Sequence, residues 1–144
     1  MNLKSKKGIT VSSLVLYVVL FFGITAFVSI IYTNMNETMF NNRGMALNYT
    51  MLNKLEYNLT DSSFNSIDVA IVDNVITFSN GDKYYYDEAK DMVILNNGVL
   101  CTSVSKFEPT VASENEVKKL TIEITLNKYL ATLNKSVVCS IEEE

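Results

Sequence analysis

The chain has 144 residues, a formal net charge of −4, 19% charged residues and no histidine. The missing imidazole excludes His-assisted serine or cysteine nucleophiles and zinc sites of the His/Cys kind, and a glycine-rich phosphate loop is also absent. An acidic chain whose single arginine is Arg43 is a poor general binder of nucleic-acid backbone.

The N-terminal stretch sets the organisation. Lys4, Lys6 and Lys7 precede Gly8, and residues 9–32 then run without charge or proline through Leu14, Val15, Leu16, Val18, Val19, Leu20, Phe21, Phe22, Phe27, Val28, Ile30 and Ile31. As a helix this run extends ~36 Å at about 1.5 Å per residue, enough for a hydrocarbon core of about 30 Å. The next charges are Glu37 and Arg43, so the positive-inside bias leaves the short N-terminus cytoplasmic and the body outside. A secretory signal peptide also begins basic and apolar, but its apolar core is shorter and ends in a small-residue cleavage pattern that Thr33-Asn34-Met35 lacks.

Residues 33–60 keep helical character. Met35, Met39, Leu47, Met51, Leu55 and Leu59 recur at intervals of four or eight, an apolar stripe on one helix side, with Glu37, Arg43, Lys54 and Glu56 on wetter faces. Gly44 is a position for a bend, and Asp61-Ser62-Ser63 reads as the helix exit. Asn-x-Ser/Thr triplets at Asn36, Asn48, Asn58 and Asn134 read as chance occurrences in an asparagine-rich chain.

From Ser66 the period becomes strand-like, and 66–144 is expected to form a sheet domain. Ile67, Val69 and Ile71 alternate with polar or small residues. Val75–Ser79 and Asp82–Asp87 flank Asn80-Gly81, which suits a two-residue hairpin turn. Met92–Leu95 and Val99–Phe107 flank Asn96-Asn97-Gly98, whereas Glu108-Pro109 and the polar run Ala112–Lys118 read as a break. Leu120, Ile122, Ile124 and Leu126 alternate next, then Val137, Cys139 and Ile141. The expected fold class is α+β: a long N-terminal helix, hydrophobic in its first half, packed on a mainly antiparallel β-sheet.

Ser5-Lys6-Lys7-Gly8-Ile9-Thr10-Val11 resembles the processing site of type IV prepilins and pseudopilins. By that resemblance, residues 1–8 are a basic prepilin-type leader, prepilin peptidase cuts between Gly8 and Ile9, and Ile9 becomes an N-methylated first residue. Lys4, Lys6 and Lys7 then hold the leader in the cytoplasm, and Gly8 lets the peptidase approach the backbone. The family's usual glutamate at the fifth mature position is replaced by Ser13, which cannot neutralise a neighbour's α-amino group in an apolar bundle. That departure points to a minor subunit, at a filament tip or in an initiation complex; the alternative is that Ser12 and Ser13 only bond back to helix carbonyls, as serine does in membrane helices. The order of helix and strands resembles the pilin fold, and Tyr84-Tyr85-Tyr86-Asp87, Asn97-Gly98, Val104–Phe107 and Leu120-x-Ile122-x-Ile124-x-Leu126 resemble minor pseudopilins of type II secretion and competence systems.

The resemblance implies a non-catalytic subunit of the cytoplasmic membrane that assembles by helix packing into a pilus-like filament, for pilus assembly, secretion or DNA uptake. Its partners would be prepilin peptidase, other pilin or pseudopilin subunits and the membrane, with no cofactor, small-molecule substrate or direct nucleic-acid binding. The competing class is a permanently anchored extracellular binding or sensor module. Cys101 and Cys139, both in expected strands, are candidates for a disulfide in an exported domain or for small core residues. Asp82, Asp87, Glu88 and Asp91 could offer oxygen ligands to calcium, but their spacing is not that of an EF-hand, and a solvated hairpin edge accounts for them. Tyr84 and Tyr86 should share a strand face, with Tyr85 on the other.

Overall fold

The computed structural model describes residues 3–114 and 117–142, and of residues 3–9, 114 and 142 the backbone alone. One helix, α1 (Leu3–Phe64), is followed by eight strands: β1 (Val69–Val72), β2 (Val75–Phe78), β3 (Lys83–Asp87), β4 (Met92–Leu95), β5 (Gly98–Thr102), β6 (Val104–Glu114), β7 (Val117–Lys128) and β8 (Ala131–Glu142). The protein is an α+β protein whose long N-terminal helix packs against antiparallel sheets. It divides into two compact units, Met1–Met39 and Phe40–Glu144.

The first unit is helical throughout its described length, and Val11 to Tyr32 are exposed. With water absent from a bilayer core, a helix satisfies every backbone group internally. Three hydroxyls of this unit bond to carbonyls one turn back: Thr25 donates to Phe21 O at 2.8 Å, Ser29 to Thr25 O at 2.8 Å and Thr33 to Ser29 O at 3.0 Å.

In the second unit, the part of α1 from Phe40 turns inward a stripe that alternates steps of three and four: half-buried Met45, then buried Asn48, Leu52, Leu55, Leu59 and Ser62. The expected stripe of fours is corrected by this. A step of four residues overshoots one turn by about 40°, so it walks around the helix, whereas alternating steps hold one face. Leu55 and Leu59 are buried and Met51 is half-buried, but Leu47, Met39 and Met35 are exposed. Each leucine taken out of water contributes about 1.5–3 kcal/mol. The helix also runs one residue past the expected exit, to Phe64, because Ser62 faces inward and Asn65 N bonds to Asp61 O at 3.1 Å.

The strands form two sheets, ordered β1-β2-β3-β4-β5 and β6-β7-β8, in which each strand pairs antiparallel with its sequence neighbour. In the first sheet Val69, Ile76, Phe78, Tyr84, Val93 and Cys101 are buried, and in the second Phe107, Leu120, Ile122, Ile124, Leu126, Val137 and Ile141. Both sets join the helix leucines in one core. Asp73 (φ 51°) and Asn74 (φ 60°) make the β1–β2 turn, with both central residues at positive φ as a tight hairpin prefers. The β2–β3 connection is longer than a two-residue turn: Phe78 N bonds to Asp82 O at 2.9 Å around Gly81 at φ 99°.

Two further expectations are corrected. The expected strand Val99–Phe107 is divided at Ser103 (φ 58°), where the chain leaves the first sheet and enters the second. Glu108-Pro109 is not a break: β6 runs through it, and the polar run ends in the β6–β7 hairpin. A proline is admissible there because β6 is an edge strand of its sheet. Tyr84 is buried and Tyr86 half-buried on one face, and Tyr86 donates to Val104 O at 2.8 Å.

Candidate functional site

The residues singled out by the sequence lie in different places. Ser13 is exposed on the apolar helix segment, among Val11, Leu14 and Val15. Lys4, Lys6, Lys7, Gly8 and Ile9 lie outside the residues whose side chains are described. Cys101 sits in β5 and Cys139 in β8, in separate sheets, and both are free and buried. Burial pushes the Cys101 thiol up to about 12, and burial with Glu56 nearby raises that of Cys139. Both therefore stay protonated, and Cys101 Sγ lies 3.5 Å from Met51 O.

The acidic residues are occupied structurally. Asp82 accepts from Ser62 Oγ at 2.7 Å, Asn80 Nδ2 at 2.8 Å and Asn96 Nδ2 at 3.0 Å, and these bonds hold its carboxyl below the usual carboxylate range. Because Ser62 donates to Asp82, the 2.7 Å contact between Ser62 Oγ and Tyr84 OH uses the phenol hydrogen. Burial raises the Tyr84 phenol to about 12. One carboxylate thus ties the last turn of α1 to the β2–β3 and β4–β5 turns. Asp87 pairs with Lys90 at 3.4 Å, and Asp91 Oδ1 lies 3.4 Å from Tyr86 OH, whose single proton goes to the nearer Val104 O. Among the described residues no group of three or more metal-ligating side chains converges.

A cleft of about 430 Å³ on the polar side of β7 and β8 is lined by Lys106, Glu123, Asn134 and Lys135, among others. Lys106 pairs there with Glu123 at 2.7 Å and Glu108 at 3.0 Å, which raises the lysine and lowers Glu123 from their ordinary values.

The sequence reading missed how the helix is fastened to the β7–β8 hairpin. Gly44 is buried, and a Cβ there would lie 2.3 Å from Lys128 O and 2.9 Å from Ala131 Cβ. One turn on, the fully buried Asn48 donates through Nδ2 to Ala131 O at 3.1 Å and Leu126 O at 3.3 Å. A glycine and an asparagine four apart on a helix were the available signal, but their partners lie about eighty residues away. Asn48, with its amide so engaged, is closed to glycan attachment.

Fold and surface define an α+β protein with one helix near its N-terminus long and apolar enough to cross a membrane. Comparisons with protein-family models, curated proteins and solved structures give no match.

Proposed function

We propose that the chain is a non-catalytic assembly subunit of the minor pilin or pseudopilin kind. On this reading prepilin peptidase cuts it after Gly8, the segment from Ile9 packs with helices of other subunits, and the sheet domain stays outside the cytoplasmic membrane. The observation that carries the proposal is a single helix serving two environments: exposed and apolar from Val11 to Tyr32, then buried along one stripe against antiparallel sheets from Asn48 to Ser62. The leader-like Lys6-Lys7-Gly8 immediately before the apolar run supports it. Ser13 supports a minor position, because a hydroxyl leaves a neighbour's ammonium unneutralised in an apolar bundle.

The test is coexpression with a prepilin peptidase, followed by N-terminal sequencing. The expected product begins at Ile9 with a methylated amine. A product still beginning at Met1 would overturn the proposal in favour of a permanent anchor carrying a binding module.

A further inference from the structure

The turn between β7 and β8 has the wrong residues for a turn that only reverses the chain. Lys128 pairs with Ala131, so Tyr129 and Leu130 are the two loop residues, and Tyr129 holds φ 53°. Glycine or asparagine takes that conformation cheaply, and a bulky aromatic does not. Both side chains are nevertheless out in solvent, at 58% and 66% exposure. Phe40, itself 42% exposed, lies beside them with its ring 6.1 Å from that of Tyr129. The patch is rigidly held, since Gly44 and Asn48 fasten this hairpin to the helix that carries Phe40.

We propose that Phe40, Tyr129 and Leu130 form a docking surface for phospholipid, seated at the boundary between headgroups and acyl chains of the leaflet into which the apolar helix passes. This rests on the reading of residues 10–32 as membrane-inserted. Chain connectivity supplies the occupant: only residues 33–39 separate Tyr32 from Phe40, so the two are at most ~29 Å apart even when the chain between them is fully extended. The chemistry fits the same occupant. Tyrosine places an apolar ring and a hydroxyl at the level where membranes collect aromatic belts. Exposed Arg43, three residues after Phe40, and half-buried Lys128, next to Tyr129, are cations close to the patch in the chain, against the single carboxylate of Glu37 on the stretch between Tyr32 and Phe40. The strained tyrosine is then retained for the surface it presents rather than for the turn it makes.

The chain has no tryptophan, so single-tryptophan variants report without background. The full chain is reconstituted in phosphatidylcholine/phosphatidylglycerol vesicles whose lipids are brominated high on the acyl chain, and emission is compared with unbrominated vesicles. Phe27→Trp reports insertion of the helix, Tyr129→Trp and Leu130→Trp report the patch, and Val138→Trp on β8 is the distant control. Loss of emission at Phe27→Trp and at either patch variant, but not at Val138→Trp, is the expected result. Quenching at Phe27→Trp alone would overturn the proposal while leaving insertion intact, and a blue-shifted but unquenched patch would assign that surface to a second copy instead. No quenching at Phe27→Trp would remove both the proposal and the reading beneath it.

Discussion

Gly44 and Lys128 meet backbone to backbone: a Cβ on the glycine would lie 2.3 Å from the lysine carbonyl oxygen, closer than any side chain can approach. In an isolated helix alanine is favoured over glycine by about 1 kcal/mol. Here the order reverses, because the obstacle is main chain and cannot rotate away. Gly44→Ala is expected to lower stability by about 1–3 kcal/mol as an overpacked contact, measured by urea unfolding of the full chain in detergent. Adding Ala131→Gly should not restore it, since the Lys128 carbonyl remains in place.

Asn48 donates to two carbonyls and its Oδ1 is buried without a partner among the described residues. Asn48→Ala should cost about 1–3 kcal/mol for bonds lost in a buried site. Asn48→Asp should cost more, because it removes the donors and places a carboxylate facing carbonyl oxygens. Unfolding midpoints of the two variants at neutral pH distinguish these outcomes, and equal loss would argue against the amide's role.

Stability should fall in acid partly through Asp82. Its carboxyl is held below the usual carboxylate range by hydrogen bonds from Ser62, Asn96 and Asn80. A depressed folded pKa stabilises above the unfolded value and loses that contribution as pH falls through the folded one. Urea unfolding from pH 6 down to pH 2 should therefore show a shallower decline for Asp82→Asn than for the parent, from a lower starting stability. Asp68, lowered by Lys118, and Glu123, lowered by Lys106, keep part of the slope in the variant.

Tyr84 works in the opposite direction. Its phenol is raised to about 12, so the folded state favours the neutral form, and stability is complete below pH 10 and declines as pH rises through the folded value. An absorbance titration at alkaline pH should lose its latest-titrating tyrosine in Tyr84→Phe, while Tyr86, whose phenol is also raised by burial and by Asp91, still titrates late. The same variant should cost about 0.5–1.5 kcal/mol at neutral pH for the bond to Ser62.

Cys101 and Cys139 should resist a thiol reagent in the folded protein and react fully once it is unfolded, since buried protonated thiols are poor nucleophiles. Fast native reaction of either would contradict the packing described.

Some local signals carry through to the structure and one does not: Asn80-Gly81 lies in a connection longer than the two-residue turn it indicates. Met92–Leu95 is a strand as its apolar run indicates, and the alternation of Leu120, Ile122, Ile124 and Leu126 marks the centre of β7. Pro109 misled because proline ends a central strand but not an edge strand, and edge position is a property of the assembled sheet. From the sequence Gly44 permits a bend without requiring one and Asn48 is a chance triplet, because their roles depend on a hairpin far along the chain. Ser62 resembled a loop residue for the same reason, its partners being Asp82 and Tyr84. The apolar run from Val11 is a continuous exposed helix long enough to cross a membrane, as its length and composition indicate, because that needs no partner within the chain.

The strictly sequential strand order also bears on how the chain matures during synthesis. Each hairpin closes over a short loop, so it can form as soon as it emerges, on the scale of about 1–10 μs. The helix face with Asn48 must wait for Leu126 and Ala131, which arrive with the last hairpin. Until β7 and β8 are made, Leu52, Leu55 and Leu59 lack part of their cover, so a truncated product exposes an apolar helix stripe to proteases. The β7–β8 hairpin thus sets when the stripe from Asn48 to Leu59 is covered, because part of that cover is made only with β7 and β8.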